Sequence, residues 1–513
     1  MLETRIPVKR AASRFVNGIL VDRPWIGVAL VSLFYWGLTL YVATKRLFWI
    51  DEFATLYYVQ LKTFGDVWKF MMTGADQTPP YYMLVTHAFV ALFGPGELWM
   101  RIPPMAGFWI AMLCLYRITA RLSSPLFGLI AMTVPTAFPI SAYATEARSY
   151  GLLLGFSALA LMFWIDIERS DPKFAAFSRC ALAGSLCLAT CCHYYGVLVP
   201  IPLALGEMVR TVQSRKFDMR TWVAFAAVLI PLPAAYPAIV AARSGLPQFW
   251  FKPQFHMGFT WFDSMLSGPP LLALLLALAI YNLRGSSWPP PPFSPPAPSK
   301  SSVAALLGLL GFPFVAILFA IFLTGAYGHR YVIATVLGVS VLFTLAAHRL
   351  TKGDMLAGIC ILGVLFVSAG DLSKRRLDDS KSSRQALMDY AKMADATELE
   401  GAPILFGNIQ EWMRTKRYLN GSAQTRALFP IDTDRSTTQE QSKVLLFTTL
   451  RPVAPPGIIG FASCKSTWRK LGVYAPPGNE DSKWLIPALI QDGWSLRAIA
   501  QIDYATMYLA ERK

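Results

Sequence analysis

Long apolar runs recur along most of this chain, and they constrain its fold more than any other feature of the sequence. Of its 513 residues, 54% are hydrophobic and only 15% are charged, which is far more apolar than a typical soluble domain. About eleven runs are long enough to cross roughly 30 Å of hydrocarbon as helices. These runs are residues 24–44, 102–119, 126–143, 150–165, 181–194, 196–209, 222–242, 266–281, 303–323, 331–347 and 355–370. The sequence therefore predicts an all-α polytopic membrane domain over residues 24–370.

Basic residues between the runs predict the orientation of this domain. The formal net charge is +16, but Lys and Arg lie in short clusters and form no single basic face, so we expect no binding to nucleic acid. If residues 1–23 are a cytoplasmic N-terminus, the positive-inside rule is satisfied by the clusters at 117–121, 168–179, 210–220, 284–300 and 348–352.

This orientation makes residues 45–101 a large first external loop. Within it, the run 79–94 must lie along the membrane surface as a short helix, because a further span would flip every later loop. Residues 284–302 include a Pro-rich stretch that cannot form a helix, and they are predicted to be a cytoplasmic linker.

The composition changes after residue 370, where charged and apolar residues mix. Residues 371–513 are long enough for one separate domain. Two short apolar segments, 403–407 and 443–449, are typical of buried strands, 410–419 is typical of a helix, and 495–510 is typical of a closing hairpin. We predict a soluble α/β domain, which an odd number of spans puts on the extracytoplasmic side.

An acid pair directly follows the first apolar run. Asp51 and Glu52 come after Phe48-Trp49-Ile50, at the non-cytoplasmic surface. Adjacent acids beside a bilayer cost free energy unless they are solvated or paired. They can be solvated carboxylates at a helix end, or one of them can take a proton from an attacking hydroxyl or amine.

Cations at the same surface recur beside aromatic residues. Arg101 precedes Ile-Pro-Pro, Arg148 precedes Ser-Tyr, and Arg330 lies between His329 and Tyr331. Any one of them can simply snorkel to the interface. Together with the acids they supply the parts for handling a sugar on a membrane-anchored phosphate, because Arg offers a fixed fork of donors to phosphate oxygens.

The sequence predicts neither a metal site nor a disulfide framework. The histidines are scattered, and every cysteine except Cys464 lies in or beside an apolar run. The external loops lack a cluster of carboxylates for a metal. We therefore expect that no metal and no other cofactor is required.

The acid pair, the arginines and the short motifs near them, in their order along the chain, resemble the GT-C superfamily of integral-membrane glycosyltransferases. The resemblance is to the branch that contains protein O-mannosyltransferases and the bacterial aminoarabinose transferase that modifies lipid A. It covers roughly residues 25–350. It rests on Asp51-Glu52, Gln77-Thr78-Pro79-Pro80-Tyr81-Tyr82, Phe93-Gly94, Arg101-Ile102-Pro103, the segment 143–150, His193-Tyr194-Tyr195-Gly196 and Arg330-Tyr331.

The resemblance implies roles for these residues. Asp51 is expected to be the general base that activates the acceptor, and Glu52 to orient the acceptor or the first loop. The donor phosphate is expected to bind Arg330, together with Arg148, His329 and Tyr331. Further candidate substrate contacts are Thr78, Tyr81, Tyr82, Arg101, Glu146, Tyr150 and His193. Many relatives carry His or Lys where this chain has Thr78, so either a neighbouring cation takes over that contact or the donor site differs in detail.

The implied activity is an inverting sugar transfer from a polyprenyl-phosphate donor, in the bacterial inner membrane. The acceptor is an extracytoplasmic protein, lipid A or cell-envelope glycan. Two alternatives remain open. A transporter or flippase for a lipid-linked sugar needs ionisable residues deep within the spans. A membrane scaffold with a degenerate catalytic centre is the other alternative, and Thr78 is its main indication.

Overall fold

The structure is a computed structural model that describes residues 23–169, 171–245, 253–266, 297–432, 450–475, 484–502 and 505–512. Its first part is helical. In chain order the helices are α1 (Pro24–Lys45), α2 (Ile50–Val59), α3 (Phe64–Met71), α4 (Pro80–Phe93), α5 (Glu97–Leu122), α6 (Pro125–Thr133), α7 (Tyr150–Arg169), α8 (Pro172–Cys192), α9 (Pro200–Ser214), α10 (Met219–Phe225), α11 (Leu232–Gly245), α12 (Met257–Leu266), α13 (Lys300–Leu310), α14 (Phe312–Phe319), α15 (Thr335–Leu350) and α16 (Met355–Ala394).

Local sequence explains where several of these helices begin. Proline, which favours the first turn, opens α1, α4 and α8. Asp171 caps α8 by accepting hydrogen bonds from the first backbone N–H groups, and Asp354 caps α16 in the same way.

Most of the apolar runs form helices in the structure. Among the described residues, six helices are long and apolar enough to cross a membrane, or up to eight if each of two bent pairs is one span. The predicted runs 126–143 and 331–347 coincide with shorter apolar helices. Residues 267–281 of the run 266–281 lie outside the described residues, as does most of the Pro-rich linker. The chain is thus a multi-pass membrane protein, and the count of eleven spans stays a prediction. Residues 80–93 are helical, as predicted.

Close packing of α5 against α7 brings the site segments together. A Cβ atom added at Gly151 would lie 2.2 Å from the carbonyl oxygen of Pro104, and one at Gly155 would lie 2.4 Å from that of Gly107. Only glycine allows the two backbones to approach so closely. This contact sets the start of α7, with Tyr150, against the part of α5 that follows Arg101.

The C-terminal part forms a mixed sheet with short helices, as predicted for an α/β domain. Strand order is β3-β2-β1-β4-β6-β5, in which β1 to β4 are parallel and β5 and β6 antiparallel. The strands are β1 (Ile404–Phe406), β2 (Ala427–Ile431), β3 (Ile458–Gly460), β4 (Lys470–Ala475), β5 (Ser495–Ile502) and β6 (Ala505–Glu511). The helices are α17 (Ile409–Tyr418), α18 (Ser422–Thr425), α19 (Phe461–Thr467) and α20 (Leu485–Gln491).

Three predictions for this part are confirmed and one is not tested. Strand β1, helix α17 and the antiparallel pair β5/β6 stand where the sequence predicted them. The predicted strand 443–449 lies outside the described residues.

The C-terminal part and the loop between α1 and α5 share one hydrophobic core. Phe48, Phe53 and Tyr58 of the loop belong to the same buried cluster as Tyr390 and Trp412. Helix α16 also runs without a break through residue 371, where the sequence predicts that the second domain begins. The sheet is therefore connected to the membrane helices by a continuous helix and a common core.

Candidate active site

Asp51 and Arg330 meet on one side of the membrane domain. Asp51 lies in the first turn of α2, and Arg330 lies in a short 3-10 turn just before α15. Oδ2 of Asp51 is 3.2 Å from Nη2 of Arg330. The guanidinium carbon of Arg330 is 5.6 Å from the ring centre of Trp49 and 5.5 Å from that of Tyr150. These aromatic rings help to hold the cation beside the acid.

The Asp51–Arg330 pair is accessible to a ligand. The side chain of Asp51 is 22% exposed and that of Arg330 is 28% exposed. Oδ2 of Asp51 accepts no hydrogen bond from any described residue, so its polar contact with Arg330 is an ion pair alone. The carboxylate therefore keeps lone pairs that can take a proton.

Glu52, the next residue, is wholly buried and saturated with donors. Arg101 forms two parallel bonds with it, Nε to Oε1 at 2.8 Å and Nη2 to Oε2 at 2.9 Å. Arg46 donates to Oε2 at 3.1 Å, and the backbone N–H of Ala147 donates to Oε1 at 2.8 Å. Burial raises the pKa of Glu52, but Arg101 and Arg46 outweigh it, so the net pKa is lowered. Glu52 ties the first loop to the membrane helices, which fits the loop-orienting role expected for it.

Arg148 is paired with an acid, Asp76, that the sequence analysis did not single out. Its Nη1 and Nη2 donate to the two carboxylate oxygens of Asp76 at 2.9 and 3.3 Å. Thr78 donates to the same carboxylate from its backbone N–H and from its hydroxyl, each at 2.9 Å. Burial raises the pKa of Asp76, but Arg148 and the hydrogen bonds from Thr78 together outweigh it, and the net pKa is lowered. A phosphate contact by Arg148 would have to compete with Asp76.

Glu146 is a further carboxylate close to the pair, and its side chain is only 12% exposed. Its Oε1 is 3.8 Å from Nη2 of Arg46, whereas its Oε2 has no hydrogen-bond partner among the described residues. Burial raises the pKa of Glu146. Because an unpartnered buried acceptor costs free energy, this oxygen is suited to accept a hydrogen bond from a ligand.

An apolar cavity opens beside these charges. The ring centres of His193 and Tyr331 are 4.4 Å apart, and His193 lies 5.8 Å from Tyr150. Nδ1 of His193 accepts a hydrogen bond from the backbone N–H of Tyr195 at 3.1 Å. His193 and Tyr331 both line a cavity of about 930 Å³. Most of its other walls are apolar and include Val197, Leu232, Ile239, Phe319 and Leu323.

Three of the predicted contacts are occupied elsewhere or enclosed. His329 makes hydrogen bonds of 3.1 and 2.9 Å to Thr260 and Ser264 of α12. Tyr81 donates its hydroxyl to the carbonyl oxygen just before α11, at 2.8 Å. Tyr82 is buried, and its hydroxyl has no partner within the described part of the chain. The phosphate-binding role of His329 and the substrate contacts of the two tyrosines stay predictions.

Sequence reasoning missed three residues that shape the site. Asp76 neutralises Arg148, Trp49 lies beneath Arg330, and Arg46 binds both Glu52 and Glu146. One feature of the sequence could have pointed to Asp76: it directly precedes the Gln77-Thr78-Pro79-Pro80 segment on which the resemblance rests. In the described ranges, no group of three or more His, Cys, Asp or Glu side chains could hold a metal. The expectation that no metal is required stays a prediction.

The bundle of apolar helices, the acid-bearing first loop and the C-terminal sheet together have a GT-C glycosyltransferase-like fold. The likeness is to crystal structures of ArnT from Cupriavidus metallidurans, a lipid A aminoarabinose transferase. The apo structure matches with a TM-score of 0.56 and 11% identity, over 97% of this chain and 98% of ArnT. The structure bound to undecaprenyl phosphate matches with a TM-score of 0.51 and 13% identity, over 94% and 97% of the two chains.

Sequence comparison adds no closer relation. No protein-family model matches the chain, and no characterised protein matches it significantly in sequence. The likeness to ArnT therefore shows the fold.

Proposed function

We propose that this protein transfers a sugar from a polyprenyl-phosphate carrier to an acceptor outside the cytoplasm. The observation that supports the proposal is the Asp51–Arg330 pair, in which a carboxylate lies 3.2 Å from a guanidinium. A carboxylate can take a proton from an acceptor, and a guanidinium is suited to bind phosphate. The GT-C-like fold supports it, because an ArnT of the same fold is bound to undecaprenyl phosphate. In this proposal the protein lies in a bacterial inner membrane with its C-terminal domain outside. The acceptor is a protein, lipid A or another cell-envelope glycan.

The reaction that fits the pair is a single inverting displacement. An acceptor hydroxyl or amine attacks the anomeric carbon of the donor sugar while Asp51 takes its proton. The bond between that carbon and the phosphate oxygen breaks, and the electron pair leaves with the polyprenyl phosphate. Arg330 stabilises the charge on the departing phosphate, so no second acid is needed to protonate the leaving oxygen. No metal or other cofactor takes part in the proposed chemistry.

The cavity is suited to hold the lipid carrier. Its walls are mostly apolar, which suits an isoprenoid chain, and His193 and Tyr331 line the part that lies beside Tyr150 and Arg330. The unpartnered Oε2 of Glu146 is suited to accept a hydrogen bond from the sugar or the acceptor.

The test is sugar transfer by the full chain in membranes supplied with a radiolabelled polyprenyl-phosphate sugar. Asp51→Asn keeps the size of the side chain but removes the base, so transfer should fall by about 10²-fold or more while protein abundance stays unchanged. Asp66→Asn is the matched control, because Asp66 is a half-buried residue of the same loop whose side chain only caps α3. Full activity of Asp51→Asn would reject the base assignment. Absence of transfer by the unmodified chain, with glycan and lipid profiles unchanged on deletion of its gene, would reject the function.

A further inference from the structure

Residues 45–50 connect the first span to the helix that carries Asp51, and side chains from elsewhere bind most of their backbone. The segment leaves α1 at Lys45 and enters α2 at Ile50. Unpaired backbone groups in such a covered segment are costly, so each bound group fixes its path. The binding side chains come from three parts of the protein: the membrane domain together with Glu52, helix α17, and the extension of α16.

The inner source is the membrane domain. Nη1 of Arg101 donates to the carbonyl oxygens of Ala43 and Arg46, both at 2.8 Å, and Nη2 donates to that of Leu47 at 3.3 Å. Oε2 of Glu52 accepts from the backbone N–H of Trp49 at 3.3 Å. These contacts hold the segment from below.

The outer source is helix α17 of the C-terminal domain. The hydroxyl of Tyr418 accepts from the backbone N–H of Phe48 at 2.9 Å, and Nε of Arg414 donates to the carbonyl oxygen of Phe48 at 3.3 Å. Oε1 of Gln410 accepts from the backbone N–H of Ile50 at 3.3 Å. One helix of the C-terminal domain thus holds the backbone immediately before Asp51.

The extension of α16 adds a third attachment at the start of the segment. Ser380 and Arg384 both donate to the carbonyl oxygen of Lys45, at 2.7 and 3.0 Å. The guanidinium of Arg384 also lies over the ring of Tyr418, 6.0 Å from its centre. The two outer attachments are therefore in contact with each other.

We propose that the C-terminal domain positions the base: Tyr418 and Gln410 of α17 hold the Phe48 and Ile50 backbone so that Asp51 stays in register with Arg330. The proposal rests on the proposed sugar transfer. Asp51 follows Ile50 directly, so a shift of that backbone moves the carboxylate. A misplacement of about 1 Å in a reacting group costs on the order of 10²-fold in rate. Tyr418 and Gln410 are positioning residues, because they act through backbone N–H groups.

The experiment compares matched pairs of full-length variants in detergent or nanodiscs. Tyr418→Phe and Gln410→Ala each remove one side-chain acceptor that binds a backbone N–H of the segment. Tyr390→Phe and Gln424→Ala remove the same groups inside the C-terminal part, where Tyr390 donates to Ala423 and Gln424 to Lys416. Hydrogen–deuterium exchange of a peptide covering residues 46–52 reports the hold on the segment. Steady-state sugar transfer, normalised to the number of undecaprenyl phosphate binding sites, reports whether Asp51 still acts as the base.

Tyr418→Phe and Gln410→Ala should speed exchange in this peptide and lower kcat by about 10- to 100-fold, with KM for the donor changed by less than about twofold. The two control variants should leave both readouts unchanged. The proposal is overturned if exchange stays at the level of the unmodified chain, if exchange rises without loss of kcat, or if the controls lose as much. If the unmodified chain transfers no sugar, the proposed function is wrong. The exchange measurement still tests whether α17 fixes the backbone of this segment.

Discussion

Asp51 and Arg330 are each other's partner, at 3.2 Å, although one follows the first span and the other precedes α15. In the proposed reaction one binds the acceptor's proton and the other the donor phosphate. The guanidinium of Arg330 therefore pairs with Asp51 before the donor binds, and it binds the donor phosphate afterwards. The carboxylate and the phosphate must compete for it.

That competition predicts that Asp51→Asn binds undecaprenyl phosphate more tightly than the unmodified chain. Loss of a partly exposed ion pair of about 1 kcal/mol corresponds to a roughly fivefold lower Kd. Arg330→Gln should bind more weakly. Calorimetric titration in detergent measures both, and an unchanged Kd for Asp51→Asn would show that the two anions do not share Arg330.

Glu52→Gln should destabilise the protein strongly. Arg101 is completely buried, and the change leaves its charge without a counter-ion, which typically costs about 3–5 kcal/mol. Thermal unfolding in detergent gives the measurement. The double variant Glu52→Leu with Arg101→Met should recover much of the loss, and equal stability of Glu52→Gln and the unmodified chain would contradict the prediction.

Glu146→Gln should have the opposite effect at neutral pH. Burial raises the pKa of Glu146 above its unfolded value of 4.5, so the folded state binds a proton more readily than the unfolded state. The contribution of Glu146 to the free energy of unfolding is therefore present at low pH and is lost as the pH rises through the pKa of the folded state. The glutamine variant lacks that loss and should unfold at a higher temperature than the unmodified chain at pH 8. The difference should close near pH 4, and a constant difference across this range would argue against a buried titrating carboxyl.

Filling the cavity should weaken carrier binding without changing the charged pair. Ile239 lines the cavity on α11 and has no polar role. Ile239→Trp adds bulk where the isoprenoid chain is expected, so the Kd for undecaprenyl phosphate should rise about tenfold or more. Binding of a short, water-soluble phosphate ester should stay the same. Equal weakening of both ligands would place the lipid chain elsewhere.

Apolar length was sufficient to predict most of the helices of the membrane domain. The run 24–44 became α1, and the acid pair after it became the first turn of α2. The meeting of Asp51 with Arg330 was also within reach, because topology alone put both on one side of the membrane. The likeness of the fold to ArnT agrees with the resemblance seen in the motifs.

Partner choice among the charges was not predictable from the sequence. Asp76 could have been solvated, and only the packing of the loop against the start of α7 pairs it with Arg148. His329 stands next to Arg330 in the chain, yet its ring bonds to α12. The hold of Tyr418 on Phe48 joins distant parts of the chain, and no local pattern marks such a contact.

The unbroken helix α16 has a consequence for how such proteins can vary. It is 40 residues long, which corresponds to about 60 Å. Each residue inserted after 371 would turn everything beyond it by about 100° and lift it by about 1.5 Å. Ser380 and Arg384 would then face away from Lys45, and α17 would leave the loop. Helical phase, and not the tether length of a flexible linker, sets which C-terminal domains can replace this one.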